Sequence, residues 1–150
     1  MVLYIIPSMT KKYKIVIDTN VFISALRSSQ GASYQLIQMV GDGKFNIYIS
    51  VALVFEYEDV AKRSNAIKLK TQQIDDIIDY VCLVGIETEI FYLWRPFLCD
   101  PKDDFILELA INSHADFIIT YNKKDFKNVD QLGVKVISPK EFLKLIKDIL

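Results

Sequence analysis

Short apolar, β-branched runs alternate along the chain with segments in which apolar residues recur at helical spacing. The short runs predict buried strands, and the three- to four-residue period predicts helices that pack on them. The predicted strands are 14–17, 45–50, 86–93, 115–120 and 134–137. The predicted helices are 21–28, 32–40, 51–62, 71–83, 103–114 and 139–150, with Thr71 and Ser138 as N-caps. This alternation predicts an α/β fold, a three-layer α/β/α sandwich with a mostly parallel central sheet.

The composition is that of one globular domain. The chain has 150 residues, of which 51% are apolar and 25% charged, enough to build one full core. We expect residues 14–150 to form a single domain and residues 1–13 to be an N-terminal extension, either frayed or added to a sheet edge. The apolar opening is too short to cross a bilayer and lacks the basic start of a secretory signal, so we expect a cytoplasmic protein without a membrane partner.

Charge and cysteine content narrow the possible chemistry. A formal net charge of −1 gives no global attraction to nucleic acid, so any such binding needs a local patch. The bases nearest the expected crevice are Lys123 and Lys124. Cys82 and Cys99 form no paired motif and the chain has one histidine, which excludes a zinc site of spaced Cys and His ligands. We predict that both cysteines are reduced thiols of the core.

Carboxylates and an amide come from four separate segments. Asp18 directly follows the first strand, and Glu56 lies on the helix after the second. Asp103 and Asp104 open the fifth helix, and Asn122 follows the strand 115–120. Because the carboxyl ends of parallel strands and the starts of the following helices share one edge of the sheet, these side chains are expected to meet in one crevice.

Such a cluster needs a counter-ion. Gathered carboxylates repel and raise one another's pKa, and a hard divalent cation with oxygen ligands relieves that repulsion. The ligand types favour Mg²⁺ or Mn²⁺. A cation held in this way suits hydrolysis at phosphorus, because it lowers the pKa of a bound water and neutralises the charge of an in-line displacement.

Several blocks of the sequence resemble, in order and spacing, those of the PIN-domain family, and specifically its branch of type II toxin–antitoxin toxin components, the VapC-like ribonucleases. The resemblance runs from residue 14 to the end of the chain. The blocks are VIDTNVFIS at 16–24, IS at 49–50 with EYEDV at 56–60, DPKDD at 100–104 with LA at 109–110, ADFIIT at 115–120 and ISPKEF at 137–142.

The resemblance implies a Mg²⁺- or Mn²⁺-dependent endoribonuclease that hydrolyses single-stranded RNA. It implies three acidic ligands, Asp18, Glu56 and either Asp103 or Asp104. It also implies a homodimer and a cognate antitoxin protein. Apolar candidates for an interface are the side chains of Tyr92, Leu93, Trp94 and Phe97.

The fourth acidic position departs from the family pattern. Many relatives place Asp where this chain has Asn122, and Asp125 follows a helical turn later. Asn122 can still bind weakly through its carbonyl oxygen or orient a water, whereas the expected burial of Phe126 predicts that Asp125 turns outward. The change leaves open whether one or two metal ions bind.

Other interpretations remain for the same residues. Asp18 and one of the Asp103/Asp104 pair can be helix caps, and Glu56 can belong to a solvated face. A haloacid-dehalogenase-type phosphatase also begins with a strand-ending Asp, but its second Asp would fall at Asn20. The stronger alternative is a non-catalytic PIN domain that binds RNA or a protein partner. Metal binding at the carboxylates distinguishes this alternative from a nuclease.

Overall fold

Five parallel strands form the central sheet in the order β3-β2-β1-β4-β5. In the computed structural model, residues 12–91 and 101–147 are described, with the side chains of 101–103 left out. The strands are β1 (Tyr13–Ile17), β2 (Phe45–Ile49), β3 (Ile86–Glu87), β4 (Phe117–Ile119) and β5 (Lys135–Ile137). All four strand pairs are parallel. Helices flank this sheet, which confirms the predicted α/β class.

In the part of the chain that the structure describes, six α-helices connect and follow the strands. They are α1 (Thr19–Arg27), α2 (Ala32–Gln38), α3 (Val51–Arg63), α4 (Thr71–Val84), α5 (Pro101–Asn112) and α6 (Pro139–Lys147). Two short 3₁₀ helices, Lys123–Phe126 and Val129–Leu132, lie between β4 and β5 and were not predicted. The helix α5 begins at Pro101 because proline fits the first helical position, where its missing N–H costs nothing.

The core lies on both sides of β1. Ile15 and Val16 point to opposite faces of the sheet, and both are fully buried, as expected for a strand covered by helices on both sides. On one face the ring of Phe142, from α6, packs edge-on against Phe45 and Phe117. This packing anchors α6 to the sheet and sets where the helix begins.

The start of α6 is as predicted, whereas that of α4 is not. Ser138 Oγ accepts a hydrogen bond from the Glu141 N–H at 3.2 Å, and the Glu141 carboxylate accepts one from the Ser138 N–H at 3.0 Å. This reciprocal pair is a capping box. The prediction that Thr71 caps α4 is wrong, because Thr71 is already helical and Lys70 is the N-cap, with its N–H bonded to the Gln73 side chain at 2.8 Å.

Two other expectations change. Cys82 is exposed, so the prediction of a core thiol is wrong there; Val81 takes the buried position on α4, and the next residue faces solvent. The strand predicted within 86–93 is present but short: it covers Ile86–Glu87, and the other described residues of that range, 88–91, are not in a strand. Cys99, the apolar candidates Tyr92 to Phe97 and most of the N-terminal extension lie outside the described residues.

Within the described ranges, no helix is both long and apolar enough to span a bilayer.

Candidate functional site

Asp18 lies between β1 and α1, at the carboxyl edge of the sheet. It is the N-cap of α1, and its Oδ1 accepts a hydrogen bond from the Thr19 N–H at 2.7 Å. Its own N–H donates to the Ile119 carbonyl at 2.9 Å, which ties the end of β1 to the end of β4. Only 7% of Asp18 is exposed. The carboxylate is therefore both a helix cap and a nearly buried charge at the sheet edge.

Thr120 holds the other oxygen of Asp18. Its hydroxyl donates to Asp18 Oδ2 at 2.8 Å and accepts hydrogen bonds from the Asn20 side chain at 3.3 Å and the Asn122 N–H at 3.0 Å. The Tyr121 N–H in turn donates to Asn20 Oδ1 at 3.3 Å. The end of β4 and the first turn of α1 thus form one hydrogen-bond network around the carboxylate.

Glu56 reaches the same place from α3. The Thr19 hydroxyl donates to Glu56 Oε2 at 2.6 Å, while the Thr19 N–H bonds Asp18. Ser50, the N-cap of α3, accepts from the Leu53 N–H at 3.2 Å and starts the helix directly after β2. This start places the half-buried Glu56 on the second turn. One residue, Thr19, therefore bridges two of the predicted site carboxylates.

Burial dominates the electrostatics of this pair. It raises the pKa of Asp18 from 3.8 to about 6; hydrogen bonds from Thr120 and Thr19 lower the value, and the charges of Glu56 and Asp125 raise it further. Burial, followed by the charges of Asp18 and Glu56, raises the pKa of the Tyr57 hydroxyl well above 10. That hydroxyl donates to the Ile17 carbonyl. The site holds negative charge that no described cation neutralises in this network.

The structure describes some of the side chains at the predicted third and fourth acidic positions, but not all of them. Asp104 is fully buried on α5, and Glu108, one turn later, is only 3% exposed; the side chain of Asp103 is not described. Asp125 is half-buried and its charge acts on Asp18, so it does not turn fully outward as predicted, whereas Asn122 is exposed. Among the described residues, no group of three or more His, Cys, Asp or Glu is placed to hold a metal ion.

Sequence reasoning missed Thr19, Thr120 and Glu108. Thr120 directly follows the buried strand β4 and Thr19 opens α1 just after β1, which is a detectable signal, but nothing in the sequence shows where their hydroxyls point. Glu108 occurs within the apolar run of α5. It is buried because α5 is covered on nearly all of its sides, so that even its polar positions are shielded from solvent. Lys123 and Lys124 are exposed in the 3₁₀ helix after Asn122.

A crevice opens beside the carboxylate pair. Its volume is about 530 Å³, within the range of small-molecule sites, and its lining residues are Thr19, Asn20, Ile23, Ser24, Arg27, Val60 and Tyr121. Thr19 and Asn20 belong to the network around Asp18, whereas Arg27 brings a positive charge to the far end of α1. The crevice thus adjoins a negative centre and carries a cation that could meet a phosphate.

The carboxylate oxygens at this edge are of the kind that a hard divalent cation prefers. Two carboxylates are held by hydrogen-bond donors in fixed positions, and desolvation raises the free energy of the charged form of Asp18. A bound cation would offset that cost, since Mg²⁺ and Mn²⁺ prefer carboxylate oxygens. Asp18 and Glu56 are therefore described residues that could hold one.

The raised pKa of Asp18 predicts a specific pH dependence of stability in metal-free protein. Between about pH 4 and pH 6 the folded state keeps a proton that the unfolded state has released, so the free energy of unfolding falls as pH rises. A pKa difference of this size corresponds to about 3 kcal/mol. Asp18→Asn removes this contribution, so the stability difference between variant and unsubstituted protein should grow from pH 4 to pH 7 in urea titrations with chelator. A constant difference would contradict the expectation.

Comparisons with known proteins agree with this fold. A family model described as PIN domain matches residues 14–124. One similar solved structure is that of VapBC2 from Rickettsia felis bound to a DNA fragment from the VapBC2 promoter. The match to a chain of that structure has a TM-score of 0.58 and 18% sequence identity, and it covers 82% of this chain and 96% of that chain. Another is that of VapBC-1 from nontypeable Haemophilus influenzae. The match to a chain of that structure has a TM-score of 0.59 and 15% sequence identity, and it covers 85% of this chain and 98% of that chain. No curated protein matches.

Proposed function

We propose, since this chain belongs to the PIN domain family, that it is a metal-dependent endoribonuclease that hydrolyses phosphodiester bonds of single-stranded RNA. The observation that carries the proposal is the joining of Asp18 and Glu56 through Thr19. A nearly buried carboxylate beside a second one costs stability. A site that holds a cation for hydrolysis accounts for that cost, and a helix cap alone does not.

In this proposal the carboxylates hold a Mg²⁺ or Mn²⁺ ion. Asp18 and Glu56 are ligands, and either Asp103 or Asp104 supplies a third carboxylate from the start of α5. When bound, the ion lowers the pKa of a water and offsets the negative charge that develops at phosphorus. Thr19 and Thr120 fix the carboxylate oxygens before substrate arrives, so little reorganisation is needed during reaction.

Two neighbouring residues have supporting roles. Asn122 is exposed, and its N–H bonds the Thr120 hydroxyl, so its side-chain amide can orient a water or bind an ion weakly beside Asp18. Arg27 lines the crevice and can contact a phosphate of the RNA. Asp125 acts on Asp18 through its charge and is the acid that we propose for a second ion, if one binds. Whether one or two ions bind depends on these residues.

The biological role we propose is that of the toxin of a toxin–antitoxin pair, acting as a homodimer in the cytoplasm. The support is the resemblance to VapC-like ribonucleases and the fold shared with chains of two VapBC structures. The partner would be a small antitoxin encoded next to the chain. Sedimentation that shows only monomer at micromolar concentration would contradict the homodimer, and failure of the neighbouring product to co-purify would contradict the pair.

A non-catalytic PIN domain that binds RNA or protein is the second candidate. Asn122 in place of an acid favours it, as does the absence, among the described side chains, of a cluster of three metal-binding residues. The buried Asp18 argues against it, because a domain that only binds has no need to keep a desolvated carboxylate beside Glu56. The two candidates differ in one property, which is turnover.

Turnover on defined substrates tests the proposal. With Mg²⁺ present, the protein is expected to cleave a labelled single-stranded RNA and to leave an RNA duplex and the DNA of the same sequence uncut, as the proposed specificity for single-stranded RNA requires. The assay follows product bands on a denaturing gel. Preparations of an Asp18→Asn variant, purified identically, control for contaminating ribonuclease. Equal cleavage by both preparations, or none by either, would overturn the proposed activity.

A further inference from the structure

A groove lies between α2 and α6, on the outside of the sheet. Its volume is about 480 Å³, and it is lined by Ala32, Gln35, Lys140, Leu143, Lys144 and Lys147. Three of these six residues are lysine and none is acidic. Helix α2 carries no charged residue along its whole length. In a chain of net charge −1, the groove is thus a local concentration of positive charge.

The three lysines form one stripe, which we call the α6 lysine stripe. Residues 140, 144 and 147 are spaced by four and three positions, so their side chains lie on the same face over about 10 Å of helix axis. All three are exposed. The ion pairs found among the described residues involve other lysines and an arginine, Lys62, Arg63 and Lys123. The ammonium groups of the stripe are therefore available to an anion.

Helix stability does not account for the whole stripe. Cations in the last turn of a helix are favourable, which explains Lys144 and Lys147, both in the last turn of α6. Lys140 is in the first turn, where the positive end of the helix dipole disfavours a cation. Its place at the groove wall beside Ala32 and Gln35 therefore calls for another reason, which an anionic ligand supplies.

Residues of the groove lie close to the crevice beside the carboxylate pair. Lys140 follows β5, whose Ile137 pairs with Ile119 at the end of β4, one residue before Thr120. On the other wall, the Ser33 hydroxyl next to Ala32 shares a hydrogen bond with the Tyr121 hydroxyl. Tyr121 also lines the crevice and is 49% exposed. One aromatic side chain thus stands at the junction of the two cavities.

We infer that the α2–α6 groove holds the phosphate backbone of single-stranded RNA beyond the cleavage site, with the α6 lysine stripe on successive phosphates and Tyr121 stacked on a base at the junction. Basic grooves with aromatic platforms are how proteins bind single strands without reading their sequence. This inference rests on the proposed ribonuclease activity. It adds the path of the substrate, which neither Asp18 nor Glu56 determines.

Salt-dependent binding tests the path. The probe is a 5′-fluorescein-labelled single-stranded RNA of 12 nucleotides, and its fluorescence anisotropy is followed over a salt series in an Asp18→Asn background, so that no cleavage occurs. The test variant is Lys140→Gln, Lys144→Gln and Lys147→Gln combined. The matched control combines Lys44→Gln, Lys68→Gln and Lys70→Gln, which are exposed, lie outside the α2–α6 groove and change the net charge equally.

Each phosphate contact with a single strand contributes about 0.7 to the slope of log K against log salt. Loss of the stripe is therefore expected to lower the slope by about 2 and to weaken binding roughly tenfold at physiological salt, while the control keeps the slope of the parent. Equal slopes in the two triple variants overturn the inference, and they are also the result expected if the stripe serves an acidic protein partner.

Cleavage separates this inference from the proposed activity. With Asp18 intact, the test variant should show a raised KM on the 12-nucleotide RNA and unchanged turnover of a three-nucleotide RNA, which is too short to reach along the groove. Equal losses on both substrates would contradict the substrate path. If the unsubstituted chain cleaves neither RNA, the ribonuclease proposal itself fails, and the inference fails with it. Unchanged melting temperatures show that both triple variants fold.

Discussion

Asp18→Asn is expected to lower the rate of RNA cleavage by on the order of 10²- to 10³-fold or more, because it removes a charged ligand from the centre that stabilises the transition state. Both oxygens of Asp18 are positioned by hydrogen bonds from Thr19 and Thr120. Asparagine keeps the shape and one acceptor, so the loss of charge is the main change. Single-turnover cleavage of labelled single-stranded RNA measures the effect.

The same variant should be more stable than the unsubstituted protein when metal is absent. At neutral pH it removes a desolvated charge beside Glu56, and it gives up the Thr120 hydrogen bond, which is worth about 1 kcal/mol. We expect a net gain of about 1–2 kcal/mol in the free energy of unfolding. A variant that melts well below the parent would show that Asp18 is chiefly the cap of α1.

Glu56→Gln and Glu58→Gln make a matched pair on α3. Glu56 receives the Thr19 hydroxyl, whereas Glu58 lies on the outer side and pairs with Lys62 at 3.4 Å. Such surface pairs contribute little to stability. Cleavage should therefore fall steeply for the first variant and stay within a factor of two for the second.

The position of Asp18 and Glu56 could be predicted from the sequence because it depends on topology. A buried β-branched run that ends at Asp18 predicts the strand and its last residue, and parallel pairing brings the ends of β1, β2 and β4 to one edge. The start of α3 then fixes Glu56 on its second turn. None of these steps requires knowledge of a side-chain rotamer.

The details that depend on rotamers and turns could not be predicted. Thr19 and Thr120 bridge the network through hydroxyls whose direction the sequence does not show. The half-buried Asp125 lies in a 3₁₀ helix, and such short turns have no clear periodicity. Cys82 is one residue from the buried Val81, so a shift of a single position on α4 changes core to surface. The family resemblance likewise does not separate Asp103 from Asp104.

Metal removal is expected to have an effect as large as that of Asp18→Asn. Without a cation, the Asp18 and Glu56 carboxylates offer only negative charge to an approaching phosphate, and burial, with a smaller contribution from the charge of Glu56, raises the pKa of Asp18. Neither Arg27 nor the lysines of the groove can replace a cation between the two carboxylates, because Arg27 lies at the far end of α1 and the lysines lie on α6. Cleavage should therefore stop with chelator and return when Mg²⁺ or Mn²⁺ is added in excess.

The most direct test of a metal-dependent ribonuclease centred on Asp18 is the rate of cleavage of one labelled single-stranded RNA across a Mg²⁺ titration. The unsubstituted protein and the Asp18→Asn variant are compared, each with and without chelator. The expected result is metal-saturable cleavage by the unsubstituted protein, no cleavage with chelator, and a flat baseline for the variant. Cleavage by the unsubstituted protein that persists with chelator and exceeds the rate of the variant would contradict the metal mechanism.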